Sequence, residues 1–148
     1  MVGQYFDGVV PVAGDLSDVD DRALAARVAT LDEVGTLISG VKLRAGIARA
    51  MQGAQEANVY LNDLAPWKTA KTDVERTGTT LWVALQMIAA NAVALSPYLP
   101  ATSRTVLRAL GVLDPDDSVP WTAPAVVAGT SLGELPPLFA KVELEPEV

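Results

Sequence analysis

The stretch between Asp73 and Pro97 restricts the fold more than any other part of the chain. From Leu81 to Leu95 it is apolar almost all round, interrupted by Gln86 and Asn91. A helix that is hydrophobic on every side must be covered on every side. The run stops short of the roughly 20 residues that cross a bilayer, and Ser96-Pro97 ends it. It therefore predicts a core helix, begun near Asp73 as N-cap with Glu75 close behind and finished near Leu95.

A central helix needs others around it. Ser17 can cap a first helix whose opening turn carries Asp18, Asp20 and Asp21, where the dipole favours acids. Leu24, Val28, Leu31 and Ile38 then recur at helical spacing, with Arg27 and Asp32 off the stripe, until Gly35 and Gly40 stop the helix near residues 35–40. A second helix is expected from about Val41 to Leu64. Its inward stripe reads Leu43, Ile47, Met51, Ala54, Asn58 and Leu61. Asn58 on that stripe predicts an interhelical hydrogen bond, to Asn91 or Gln86 of the central helix, because buried amides need partners. Pro66 ends the second helix, and Ala65 before it is biased away from α geometry. A short fourth helix from about Ala101 to Leu110 closes on Gly111.

The opening residues, punctuated by Gly8, Pro11 and Gly14, read as extended or looped. From Leu113 onward Pro and Gly are frequent again, and Ala125–Ala128 and Phe139–Leu144 read as short extended segments. The expected fold is all-α: an antiparallel helix bundle over residues 1–113. Residues 114–148 form an extended C-terminal segment of the same domain, packed on its surface. Half of the 148 residues are apolar, enough for one hydrophobic core.

Zero counts remove whole classes of chemistry. Without Cys there is no disulfide framework or thiolate, and without His no catalytic triad or imidazole-ligated metal. Asp15, Asp18, Asp20 and Asp21 fail the calcium-loop spacing, with Val19 at a ligand position, and read as a solvated helix start. Asp114, Asp116 and Asp117 flank Pro115 in a turn, and the Gly40–Gly46 stretch matches no phosphate loop. The serines have no base in any recognisable arrangement. No catalytic residue, no metal site and no cofactor is assigned. The N-terminus lacks the regions of a signal peptide, so cytoplasm is the expected location, with no membrane partner.

A net charge of −7 argues against a nucleic-acid partner, DNA above all, until it is divided by position. Residues 1–33 hold seven acids and two bases, a net −5. Residues 34–113 hold four acids and eight bases, a net +4, and residues 114–148 hold seven acids and one base, a net −6. The middle is basic.

Within it, Asn58-Val59-Tyr60-Leu61 leads to Ala65-Pro66-Trp67-Lys68-Thr69-Ala70-Lys71. A helix breaks at proline, an indole follows, and two ammonium groups stand close behind. Two readings of these residues stand. An indole can plug the end of the bundle beside solvated lysines, the commoner situation for Trp. An indole beyond a helix end can also stack on an unpaired base, with Lys68 and Lys71 holding the phosphates.

At this segment the chain resembles the C-terminal, anticodon-binding domain of methionyl-tRNA synthetases. Tyr5-Phe6-Asp7-Gly8 with Val9-Val10-Pro11 is similar to the family's aromatic-Asp-Gly-x-(Val/Ile)-Pro opening. Ala57-Asn58-Val59-Tyr60-Leu61 and Pro66-Trp67-Lys68 resemble its Asn-x-Tyr-(Leu/Phe) and Pro-Trp-Lys signature. Leu95-Ser96-Pro97-Tyr98-Leu99-Pro100 is similar to its Leu-x-Pro-aromatic-(Leu/Met)-Pro turn. Leu132-Gly133 with the strip from Pro137 to Glu143 resembles its closing motif. The resemblance implies a helix bundle that reads the CAU anticodon of tRNA, with Trp67 stacking on a base and Pro66 orienting the indole. It also implies that the family's Asn and Arg anticodon contacts, and the catalytic domain that uses ATP and methionine, lie outside this sequence. The parent would be a methionine–tRNA ligase, and this chain alone non-catalytic. The catalytic domain would be its neighbour. An alternative is a detached, non-catalytic module that binds other proteins through its acidic ends.

Overall fold

A computed structural model describes residues 1–139. Among these residues the order of elements is α1 (Val2–Tyr5), α2 (Asp18–Ser39), α3 (Leu43–Leu64), α4 (Pro66–Thr69), α5 (Val74–Leu95) and α6 (Pro100–Ala109). The three helices of 22 residues, α2, α3 and α5, each pack on the other two, while α4 and α6 lie against α5. The fold is an all-α bundle.

Helix α5 is its axis. It is long and apolar enough to cross a membrane, but 83% of its most apolar window is buried inside the bundle. Burial begins before the apolar run, at Thr77, Thr79 and Thr80. Their hydroxyls donate to the carbonyls of Asp73, Glu75 and Arg76 one turn back, at 2.8, 3.1 and 3.0 Å, so no donor is left without a partner. Asp73 caps the helix as expected, accepting from the Arg76 N–H at 2.9 Å.

Helix α3 turns a different face inward from the expected stripe. Gly46, Ala50, Gly53, Ala57 and Tyr60 are buried, whereas Leu43 and Met51 are exposed. The reason is close approach. A Cβ on Gly53 would stand 2.7 Å from Asn91 Oδ1 and 2.8 Å from Thr30 Cγ2, so only glycine lets α3 settle against α5 and α2 here. Asn58 is thereby carried to the solvent side, and the expected bond, to Asn91 or to Gln86, does not form; Gln86 bonds Val126 instead. Asn91 Oδ1 is buried against Gly53 with no hydrogen-bond partner. On α2 the correction is similar: Val28 is exposed, and Arg27 faces inward, donating to the Pro124 carbonyl at 2.9 Å.

The segments before α2 and after α6 both reach the core, through Val10 and Val126. The opening, expected to be extended or looped, begins with a short helix, α1, and is irregular from there to α2. After it Asp7 and Gly8 adopt left-handed backbone, and residues 8–10 pair with 129–132. The Val10 N–H donates to Thr130 O at 2.9 Å and the Gly129 N–H to Val10 O at 2.9 Å, with one isolated bridge between Val9 and Ser131. The segment after α6 does more than lie on the surface. Val126 is fully buried, and the Gln86 carboxamide grips its backbone from α5, donating to Val126 O at 2.7 Å and accepting from its N–H at 3.0 Å. Ala125–Ala128 forms no strand, and most of Phe139–Leu144 lies outside the described residues. Trp121 packs over Gly35, where any Cβ would meet its indole nitrogen at 2.7 Å.

Candidate nucleic-acid interface

The turn between α3 and α5 sets out the Pro66-Trp67-Lys68 segment. Ala65 terminates α3 in left-handed backbone (φ 42°, ψ 59°), outside the right-handed α region that a following proline disfavours. Its N–H still closes the last turn on Leu61 O at 2.9 Å. Pro66 then opens the single turn α4, in the position where its missing N–H costs nothing. Pro66 and Ala70, four residues apart, face inward and are buried. Proline, not the indole, closes the end of the bundle. Trp67 stands 45% exposed, with Lys68 and Lys71 exposed beside it.

The turn is held from below. Thr69 Oγ1 lies 2.8 Å from Thr77 Oγ1, which is buried on the first turns of α5. Nearby, Asp20 is completely buried, although its place at the start of α2 read as solvated. Its carboxylate accepts from both Arg76 guanidinium nitrogens, at 2.6 and 2.7 Å, and from Tyr60 Oη at 2.5 Å. The Ser17 N–H and hydroxyl each donate to it at 2.8 Å, so the Ser17 side chain serves this carboxylate. Burial alone would raise the Asp20 pKa, but these donors outweigh it and hold the carboxyl well below the usual carboxylate range. Tyr60 is pushed up by burial and by its bond to Asp20, and Arg76 is raised by the same carboxylate. At neutral pH the node is a carboxylate, a guanidinium and a neutral phenol. It ties the start of α2, the end of α3 and the start of α5 together around the Trp67 turn.

This arrangement changes what the basic middle means. Arg76 is committed to Asp20, and Arg49 to Glu33 and Glu56 at 2.5 and 3.4 Å. Neither Lys68 nor Lys71 has a carboxylate within 4 Å among the described residues. The unpaired cations at this end of the bundle also include Arg22 of α2, which lines a groove of about 450 Å³ with Val19, Val59, Tyr60 and Asp63. Sequence reasoning missed the Asp20–Arg76–Tyr60 node. Asp20 three residues after Ser17 was legible as a capping pattern, but a partner 56 residues away leaves no local mark. No group of three or more potential metal ligands occurs among the described residues.

The family model described as the anticodon binding domain of methionyl tRNA ligase matches residues 10–147. The chain belongs to that family. It is similar to the methionine–tRNA ligase of Pyrococcus horikoshii, 36% identical over 141 residues, covering 95% of this chain and 19% of that protein. It is likewise similar to the methionine–tRNA ligase of Bacteroides fragilis, 38% identical over 144 residues, covering 95% of this chain and 21% of the relative. The chain thus spans about a fifth of the length of the curated relatives it matches. Among solved structures it resembles the apo form of Mycobacterium tuberculosis methionyl-tRNA synthetase, with a TM-score of 0.87 at 23% identity, covering 98% of this chain and 30% of that one. The same synthetase bound by methionyl-adenylate gives 0.85 at 24% identity, covering 95% of this chain and 28% of that one. At these identities the overlays speak to the fold alone, a helix bundle. The signature residues divide structurally: Tyr60 is buried in the Asp20 node, while Asn58, Trp67 and Lys68 face solvent.

Proposed function

We propose that this chain binds the anticodon loop of a tRNA and reads its CAU triplet as part of a methionine–tRNA ligase. The observation that carries the reading is the stance of Trp67. Its indole is nearly half exposed on a one-residue step past a buried proline, with two unpaired ammonium groups beside it. An unstacked loop base can lie on that ring. Stacking of this kind is worth about 1–3 kcal/mol per base. Pro66, locked into the bundle, orients the indole, and Lys68 and Lys71 reach the flanking phosphates. Activation of methionine with ATP and transfer to tRNA belong to other parts of the parent enzyme, which acts in the cytoplasm. This chain supplies binding and register, and carries no catalytic residue.

Fluorescence anisotropy with a labelled anticodon stem-loop tests the reading. The chain should prefer a CAU loop over a scrambled one, and Trp67→Ala should weaken binding roughly thirtyfold, the middle of the stacking range. Affinity should fall as salt rises, with a slope of about 0.7 per phosphate contacted on a single strand. Equal binding of CAU and scrambled loops would refute anticodon recognition by this chain.

A further inference from the structure

Two buried side-chain atoms find no hydrogen-bond partner among the described residues, Nε of Arg27 and Oδ1 of Asn91. They belong to different helices, α2 and α5, yet their residues line one small cavity where the three long helices meet. Each helix contributes one turn to it: Arg27 and Thr30 from α2, Gly53 and Glu56 from α3, Met87 and Asn91 from α5. Gly53 keeps the wall open, since a Cβ there would stand 2.7 Å from Asn91 Oδ1. The room offered to the centre of a water molecule is about 10 Å³, close to the least that holds one.

We propose that this cavity is a binding site for a single internal water, which accepts from the Arg27 Nε–H and donates to Asn91 Oδ1. Either atom left unpaired in the interior is costly, and one molecule satisfies both. The walls select that ligand. Arg27 supplies a donor and Asn91 an acceptor, which a small neutral molecule with both functions matches. A cation would meet the guanidinium, and an anion would meet Oδ1 and the Glu56 side chain. Thr30 and Glu56 stand at the wall as acceptors for the second hydrogen, giving the three bonds usual for a buried water. The site completes a polar seam across the bundle. Arg27 Nη1 donates to Pro124 O at 2.9 Å, and Gln86 holds Val126 by two bonds. Through the water the same guanidinium also reaches Asn91, so the segment after α6 is tied to α2 and α5 together. No carboxylate lies within 4 Å of Arg27 among the described residues, and burial pushes its pKa down, so neutral oxygens must solvate the charge. None of this rests on the anticodon reading.

A crystal structure of the full 148-residue chain, at a resolution that orders internal waters, tests the site. One fully occupied peak should lie within about 3.2 Å of both Arg27 Nε and Asn91 Oδ1. A direct Arg27–Asn91 bond, or the two atoms apart with no peak between them, would overturn the proposal. A cycle of Arg27→Met, Asn91→Leu and the double variant, followed by thermal unfolding, checks the sharing in solution. Because both side chains use one water, the double variant should lose less Tm than the two singles added. Additive losses would count against a shared molecule. The crystal result needs only the unaltered chain, so it decides even where a variant fails to fold.

Discussion

Replacing Asp20 by Asn should be among the most damaging single substitutions in the chain. The change is nearly isosteric, so its effect is electrostatic. Asn keeps one carbonyl oxygen, but its NH2 group is set against donors that expect an acceptor. Arg76 keeps its charge and loses one of its two short bonds, at 2.6 or 2.7 Å, and the Tyr60 or Ser17 donors that share the replaced oxygen are set against an N–H. Breaking a buried pair from one side typically costs about 3–5 kcal/mol. Arg76 is 27% exposed and can recover part of its hydration, which places the expectation near the lower end, about 3 kcal/mol. For a domain of this size that is roughly a 6–12 °C fall in Tm. Thermal unfolding followed by circular dichroism measures it. A cycle with Arg76→Gln isolates the pair, and the double variant should cost much less than the two singles added. The pH dependence gives an independent check. The native carboxyl sits well below its unfolded value of about 3.9, so the contribution is complete above that value. It is lost progressively as pH falls through and below that value. Asp20→Asn should flatten that acid limb and leave the profile near neutrality parallel to the unaltered protein. A Tm within about 2 °C of the parent, or an unchanged acid limb, would refute the assignment of the node as a buried ionic clamp.

Two further substitutions test the packing that presents the site. Gln86→Leu removes both bonds to the Val126 backbone and leaves a buried N–H and C=O unpaired, a loss of about 2 kcal/mol or more. Hydrogen exchange at Val126 should speed up while the helical signal is retained, and slow exchange there would contradict the anchor. Gly53→Ala gains about 1 kcal/mol of helix propensity yet should lower stability on balance, since overpacking costs about 1–3 kcal/mol. The added methyl meets Thr30 and Asn91 at under 3 Å, whereas Gly3→Ala meets nothing within 4 Å and serves as the control in the same denaturant titration.

The parts of the fold written in local chemistry were legible in the chain. Ser17, Asp73, Pro66 and Gly111 mark helix ends by capping or by removing a donor, and these boundaries agree with α2, α3, α5 and α6 to within a residue or two. The inward face of α3 was not legible by hydrophobicity. Apolar periodicity ranks Leu43 and Met51 above Gly46 and Gly53, but close helix packing reverses that ranking where backbones approach. The same reversal moved Asn58 from a core position to the solvent face. Gln86 was recognised as a polar interruption of the central helix, yet its partner is the backbone of Val126, 40 residues on. Long-range polar pairs of this kind follow from tertiary placement, which a periodic pattern does not encode. The exposure of Trp67 was half legible: proline and the lysines marked a turn, but only the burial of Pro66 and Ala70 shows which side chain closes the bundle.

Charge shows most plainly how placement alters meaning. By sequence, the acids of the first third and the bases of the middle are separate blocks, and the second suggests a field attractive to RNA. In the folded chain the blocks cancel at specific points, with Asp20 taking Arg76 and Glu33 sharing Arg49 with Glu56. What is left at the Trp67 end is Lys68, Lys71 and Arg22 of α2, on a protein whose net charge is −7. A broad basic surface would bind any phosphate backbone and mask the difference between loops. Three cations at one end of an acidic body contribute little non-specific affinity, so the anticodon reading requires discrimination through contacts with bases, the stacked indole first among them. The small number of free cations beside the exposed indole then fits one requirement of that reading, that the strand be held weakly by its backbone and read by its bases.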